Sequence, residues 1–148
     1  MDSARVVSAS RDVEAPAAVI FELIADPARQ PEWDGNDNLR DAATGQRVRA
    51  AGDVFTTTLT TGAQRTNHVV DFESDRRIAW RPSEPDQPPP GHLWRWALEP
   101  LDEDHTRVTH TYDWSLLTDE TRLARARSIT ADKLGASLDR LAELAQRL

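Results

Sequence analysis

The chain of 148 residues contains no cysteine and only one lysine, Lys133. The lack of cysteine excludes disulfide bonds, thiolate metal ligands and a cysteine nucleophile. The formal net charge of −7 argues against a nucleic-acid binder, because phosphate contacts need clustered Lys and Arg that outweigh the neighbouring acids. We therefore expect no nucleic-acid partner.

Long apolar runs are absent as well. No stretch approaches the apolar length that spans a bilayer, and residues 1–16 lack the apolar centre of a signal peptide. We therefore expect a cytoplasmic protein with no membrane span. A chain of this length normally buries enough surface to hold one core, so residues 1–148 predict a single domain.

The common motifs for catalysis and cofactor binding are missing too. The six glycines form neither a phosphate-binding loop nor a dinucleotide fingerprint. No G-x-S-x-G motif, which would present a nucleophilic serine, occurs in the chain. The sequence therefore predicts no cofactor.

The residues that are present predict many strands and few helices. Residues 5–15 are strand-like, and Pro16 then opens a helix, because proline is favoured at the first helical position. The proline-rich stretch 27–38 predicts a short helical turn followed by a loop. Six further runs alternate in polarity or are rich in β-branched residues. These runs are 38–47, 53–61, 65–73, 77–82, 92–101 and 106–116.

The connections and the C-terminal segment indicate how these elements assemble. The connections between the six runs are mostly short and polar, as in antiparallel hairpins, and no helix is available for parallel crossovers. A long amphipathic helix closes the chain, and residues 128–130 predict a kink or a restart in it. Its apolar stripe comprises Leu134, Leu138, Leu141, Ala145 and Leu148. A curved antiparallel sheet that grips this helix would bury the stripe.

Four segments resemble a known superfamily and together span nearly the whole chain. They are "VEAPAAVIFELIADPARQPEWD" (13–34), "HVVDFESDRRIAWRP" (68–82), "LEPLDEDHTRVTHTYDW" (98–114) and "ASLDRLAEL" (136–144). The sequence is similar to the START-like, Bet v 1-like superfamily, and within it to the bacterial polyketide cyclase/dehydrase-like (SRPBCC) group. The resemblance implies an α+β helix-grip fold. In that fold a curved antiparallel sheet of about seven strands wraps around a long C-terminal helix, with two short helices between the first and second strands.

The resemblance also implies three functions. Members of the superfamily bind lipids, sterols, plant hormones or polyketides between the sheet and the long helix, which implies a hydrophobic small molecule as partner. A minority catalyse aromatic ring closure or dehydration, and related domains act as Hsp90 co-chaperone modules. No residue set is shared across these activities, and a homodimer is left open.

Strand alternation assigns aromatic and imidazole rings to one face of the sheet. Trp94 and Trp96 point to the same side, because side chains alternate across a strand. The same parity predicts further inward residues on four strands. These are His68, Val70, Phe72, Ile78, Trp80, Leu98, Val108, His110, Tyr112, Trp114 and Leu116. Such a load of amphipathic rings favours a ligand cavity, while the alternative is a core that the tryptophans fill.

The inward face supplies the candidate site residues. We expect ligand contacts from Trp33, His68, Phe72, Trp80, Trp94, Trp96, His110, Tyr112, Trp114 and Leu134. Trp33 is expected at the cavity mouth or, alternatively, as an anchor for the short helix.

His110, Tyr112 and His68 are the candidates for acid–base catalysis, and the alternative is that the two histidines hydrogen-bond to neighbouring groups. Two inward histidines without a nearby carboxylate fall short of a zinc site, so no metal is expected. His92 and His105 are expected to be exposed in loops, and Pro88–Pro90 are expected to border the entrance.

Overall fold

The structure is a computed structural model and describes residues 5–148. Within that range the elements follow one another as β1 (Val6–Val13), α1 (Ala17–Ala25), a 3₁₀ turn (Pro27–Arg29), α2 (Gln30–Trp33), β2 (Leu39–Asp41), β3 (Val54–Leu59), β4 (Gln64–Glu73), β5 (Arg77–Ser83), β6 (Leu93–Asp102), β7 (His105–Asp113), α3 (Glu120–Ser128) and α4 (Ala131–Gln146).

The strands form one antiparallel sheet in the order β1-β7-β6-β5-β4-β3-β2. Strands β2 to β7 follow each other as neighbours, as short connections require, and β1 joins the sheet beside β7. Helix α4 packs against β1 and β7 of the sheet and against α1 and α2. The expected α+β helix-grip fold is confirmed.

Helix α4 is amphipathic and its apolar face is in the core. Leu134, Leu138, Leu141 and Ala145 are buried at the predicted spacing. Thr130 caps the helix, because its side chain accepts a hydrogen bond from the Lys133 amide. Residues 129 and 130 separate α4 from α3, so the predicted restart at 128–130 is confirmed.

One predicted strand is much shorter than expected. The run 38–47 pairs with β3 only over Leu39–Asp41. Further along the chain, β3 pairs with the side chain of Gln46 instead of with its backbone. Gln46 Nε2 donates to the Thr56 carbonyl over 3.0 Å, and Gln46 Oε1 accepts from the Thr56 amide over 2.8 Å. Gly45 has a φ of +86°, which an extended strand does not allow.

A β-bulge in β4 reverses the side-chain parity within that strand. The register shifts between Val69 and Asp71, so Val70 is an extra residue and is 46% exposed. Before the bulge the inward residues are Asn67 and Val69, whereas His68 lies on the outer face. The inward assignment of His68 and Val70 is therefore wrong.

A second predicted inward orientation, that of Leu116, fails because of where β7 ends. Strand β7 ends at Asp113, so alternation does not continue to Leu116. Leu116 is 63% exposed, and its neighbour Leu117 is buried instead. The inward assignment of Leu116 is wrong for that reason.

Candidate functional site

A cavity of about 550 Å³ lies between the concave face of the sheet and the helices α2, α3 and α4. The sheet contributes Thr57, Leu59, Arg65, Asn67, Trp80, Pro82, Trp94, Trp96, His110 and Tyr112. The segment from α2 to β2 contributes Gln30, Trp33, Asp34, Asn36, Asn38 and Leu39. The remaining wall is His92, Leu117, Thr121, Arg122, Arg125, Ser128, Ile129, Lys133, Leu134 and Ser137.

The deepest part of the wall is a stack of rings on β6 and β7. Trp96 is directly opposite His110 in the register, and their rings stack with centroids 3.7 Å apart and planes 11° apart. Trp33 meets Trp96 edge to face at 5.0 Å. Next along the same strands, Trp94 covers Tyr112 at 4.4 Å. Alternation along two paired strands thus produces one continuous aromatic wall.

This wall contains buried polar atoms without partners. Within residues 5–148, Trp96 Nε1, His110 Nδ1 and His92 Nδ1 are enclosed and have no hydrogen-bond partner. All three residues line the cavity. Buried polar groups are usually satisfied, so three orphaned nitrogens around one space make this cavity the candidate site.

Trp33 is part of the inner wall and also an anchor. It is buried, and its indole nitrogen donates to the Leu23 carbonyl of α1 over 2.7 Å. The adjacent Asp34 carboxylate accepts the backbone amides of Asn36, Asn38 and Leu39, which shapes the loop that follows α2. The anchoring role considered for Trp33 is present, and its side chain lies in the cavity wall rather than at the mouth.

Gly35 brings this loop against α4. Its amide donates to Ser137 Oγ over 3.0 Å. A Cβ atom at Gly35 would lie 2.3 Å from the backbone carbon of Ala136, which is far inside van der Waals contact. Only glycine therefore permits this close approach, which brings the loop wall and the α4 wall of the cavity together.

Polar side chains on β3 and β4 form the part of the wall that the sequence analysis missed. Asn67 is buried and donates from Nδ2 to the Phe55 carbonyl and to Thr57 Oγ1, at 3.3 and 3.2 Å. Its inward position follows from the bulge, which alternation counted from Phe72 does not reveal. An Asn in the middle of a β-branched strand was the only available signal.

His92 is another wall residue that the sequence pattern did not predict. It precedes β6, is half-buried rather than exposed, and lines the cavity, so the expectation of an exposed loop histidine is wrong for it. Burial and, after it, the positive charges of Arg122, Arg65, Arg125 and Arg81 together lower the pKa of His92 to about 4. His105 is exposed as expected, and the Asp102 carboxylate raises its pKa.

The ionisable groups of the inner wall are neutral near pH 7. Complete burial lowers the pKa of His110 to about 3, and burial raises the pKa of Tyr112 to about 12. Neither side chain has a charged partner within hydrogen-bond distance. The wall therefore presents neutral rings with polar edges.

Seven of the ten predicted contact residues line the cavity, and three lie elsewhere. His68 Nε2 pairs with Ser83 Oγ at 3.2 Å on the outer face. Phe72 faces inward but packs against Phe21 of α1, with ring centroids 5.6 Å apart. Trp114 lies beyond the end of β7, with the Arg5 guanidinium 4.6 Å from its ring.

Helix α3 lines the cavity, whereas the proline-rich loop does not. Pro82 and His92 line the cavity, but no residue between them does, so the prediction for Pro88–Pro90 is wrong. Four residues of α3 line the cavity: Thr121, Arg122, Arg125 and Ser128. Arg122 fastens α3 to the segment after β5 through Glu84, at 3.0 Å.

Within residues 5–148, no three His, Asp or Glu side chains are grouped so that they could hold a metal ion. No helix in the same range combines the length and the apolar character needed to cross a membrane.

Comparison with solved structures identifies the same fold in other organisms. Protein MLL2253 from Mesorhizobium loti superposes with a TM-score of 0.69 at 16% identity, covering 97% of this chain and 98% of that one. The Aha1 dimer from Colwellia psychrerythraea gives a TM-score of 0.67 at 13% identity, with 95% of each chain covered. At these identities the likeness concerns the fold alone.

Comparison at the sequence level is more specific. The uncharacterized protein Rv0088 of Mycobacterium tuberculosis is 33% identical over 111 residues, which are 73% of this chain and 47% of that protein. The chain thus spans about half the length of the curated relatives it matches. The family model described as "Polyketide cyclase / dehydrase and lipid transport" matches residues 4–146. This chain therefore belongs to the polyketide cyclase/dehydrase and lipid transport family.

Proposed function

We propose that this chain binds a small, apolar, ring-containing molecule, such as a lipid or a polyketide, in the cavity between the sheet and helices α3 and α4. The observation that carries the proposal is a space of about 550 Å³ walled by aromatic rings, in a core that the same rings could have filled. Sites for small molecules are typically concave, mostly apolar and about 300–1,000 Å³ in volume, with a few polar groups that orient the ligand.

The polar groups of the wall suit recognition better than acid–base catalysis. A general acid or base works best when its pKa is near the working pH. Burial keeps the pKa of His110 near 3 and that of Tyr112 near 12, so near pH 7 both are neutral and poor at exchanging protons. His68, the third candidate, lies on the outer face. These observations favour binding over a cyclase or dehydratase reaction.

The proposal is tested with N-phenyl-1-naphthylamine, an uncharged probe made of a naphthalene and a phenyl ring, whose fluorescence rises in apolar surroundings. We expect saturable binding and quenching of tryptophan emission. Trp94 is half-buried and lines the cavity, so Trp94→Ala removes a ring from the wall and should weaken binding about tenfold. Leu59→Trp, which adds bulk at another half-buried lining position, should weaken it as well.

Leu116→Ala provides the matched control. It removes an apolar side chain that is 63% exposed and outside the cavity wall, so probe affinity should not change. A urea unfolding curve for each variant separates lost binding from lost folding. No saturable binding by the folded chain, or equal binding by the wall variants and the control, would contradict the proposal.

A further inference from the structure

We propose that the ligand is an acid, with an apolar ring-containing body in the cavity and an oxyanion group held at the entrance by Arg65 of β4 and Arg125 of α3. This inference rests on the proposed function and adds the chemical class of the ligand. It starts from the distribution of charge, because a chain of net charge −7 has basic residues gathered around this cavity.

The cavity wall contains four basic side chains and one acidic side chain. The acidic one, Asp34, is already engaged, since its two carboxylate oxygens accept three backbone amides of the following loop. It is therefore not available to neutralise the arginines. The wall is positive although the chain as a whole is negative.

The four basic side chains differ in how far they are neutralised. Arg122 has two carboxylate partners, Glu84 at 3.0 Å and Asp119 at 3.3 Å. In the part of the chain that the structure describes, Arg125, Arg65 and Lys133 make no ion pair, and Arg65 donates only to the Gln64 carbonyl. Arg65 of β4 and Arg125 of α3 are thus uncompensated guanidinium groups that line the same cavity from two different elements.

The two guanidinium groups also act on the same interior ring. The positive charges of Arg65 and Arg125 both contribute to the lowered pKa of His92, after burial, and Arg125 also acts on Tyr112. The His92 and Tyr112 rings lie 6.1 Å apart in the wall below the arginines. The basic groups therefore converge on one end of the cavity.

That end of the cavity also lacks internal hydrogen-bond partners. His92 Nδ1 has none within residues 5–148, and the Tyr112 hydroxyl makes no hydrogen bond to a described residue. An oxyanion between the arginines would provide an acceptor for the Tyr112 hydroxyl, while the rings of Trp94 and Trp96 contact the apolar body. Guanidinium groups are well suited to this role, because their planar donors match the geometry of a carboxylate or sulfonate.

The test compares two probes with the same rings, 8-anilinonaphthalene-1-sulfonate and the uncharged N-phenyl-1-naphthylamine. We expect the sulfonate to bind about tenfold more tightly at low salt, and the preference to shrink as salt screens the entrance. Arg65→Gln and Arg125→Gln should each reduce the preference, and the double variant should abolish it. Affinity for the uncharged probe should fall less than affinity for the sulfonate in each variant, because the uncharged probe has no oxyanion for the guanidinium groups to hold.

Arg147→Gln is the control, because it removes the same charge from an exposed position near the end of α4, outside the cavity wall. If both probes bind the unsubstituted chain equally well, the acid proposal is wrong and the proposed function stands. If neither probe binds, both fail. A preference that survives in the double variant, or is lost equally in Arg147→Gln, also overturns the assignment to Arg65 and Arg125.

Discussion

Burial determines the chemistry of His110. Its ring is stacked on Trp96 and enclosed by the sheet, so the neutral form is strongly favoured in the folded chain. In the unfolded chain the same imidazole takes up a proton at its ordinary pKa of about 6.5. The two states therefore bind different numbers of protons below that pH, which makes folding stability depend on pH.

We predict that acid destabilises the chain partly through His110. The pKa of His110 is lowered to about 3 in the folded state, so its effect is absent above about pH 6.5 and grows as the pH falls toward 3. Between pH 7 and pH 5 the loss from this residue should be about 2 kcal/mol. In urea unfolding at both pH values, His110→Gln should lose less stability than the unsubstituted chain.

His105 provides the control of opposite sign. Asp102 raises its pKa, so its contribution to stability is present below about pH 6.5 and is lost as the pH rises through the raised value. Replacing His105 should not reduce the loss of unfolding free energy that the chain shows as the pH falls from 7 to 5. A His110→Gln chain with the same pH dependence as the unsubstituted chain would refute the role given to His110.

At the scale of elements, the two C-terminal helices differ in what holds them. Helix α4 buries a full apolar face, whereas within α3 only Ala126 is buried. Helix α3 lies over the cavity and is fastened by contacts such as the ion pair of Arg122 with Glu84. Surface ion pairs contribute little stability, so we expect α3 to be displaced more easily than α4.

Two glycines at the α4 interface predict opposite responses to the same substitution. Gly135 lies inside α4, and a Cβ atom there would meet nothing within 4 Å. Gly135→Ala should stabilise the chain by about 0.5–1 kcal/mol, because alanine has the higher helix propensity. Gly35→Ala should destabilise it, because the new Cβ atom would overlap the α4 backbone at Ala136.

Denaturant midpoints of the two alanine variants test this pair. The added methyl group is the same in both variants. If the two midpoints shift in opposite directions, the cause is therefore the space around each glycine and not the substitution itself. Equal midpoints would mean that the loop after α2 does not approach α4 as closely as described.

At the scale of the whole molecule, the cavity lies between the sheet and the helices that cover it. A ligand there contacts β3 to β7 on one side and α2 to α4 on the other. It binds the folded chain and has no equivalent site on the unfolded chain, so binding and global stability are linked.

We predict that a cavity ligand stabilises the entire chain in proportion to its affinity. Uncharged probe at 100 times its dissociation constant should raise the free energy of unfolding by about 2.7 kcal/mol. At the same probe concentration Trp94→Ala should gain less, because its affinity is lower. Saturable fluorescence without any stabilisation would place the probe on the surface or on unfolded chain and would contradict a site inside the fold.

Side-chain periodicity was sufficient to predict the order of the elements and the aromatic face of the sheet. The stripe on α4 and the alternation on β6 and β7 depend on contacts between near neighbours in the chain or on one strand pair. For that reason Trp94, Trp96, His110 and Tyr112 could be assigned to one face from their spacing alone. Periodicity carries this information because helix and strand geometry repeat at fixed intervals.

The orientation of other side chains depended on contacts between segments that are far apart in the chain. The bulge at Val69–Asp71 turned His68 outward and Asn67 inward, and the end of β7 left Trp114 outside the cavity.

The sequence by itself thus determined the α+β class, the order of the elements and the aromatic face. The tertiary structure alone decided that a cavity remains, that His92 folds into its wall, and that arginines of β4 and α3 line it together. The physical reason is that local spacing sets which way a side chain points, whereas the space in front of it depends on how the helices pack over the sheet.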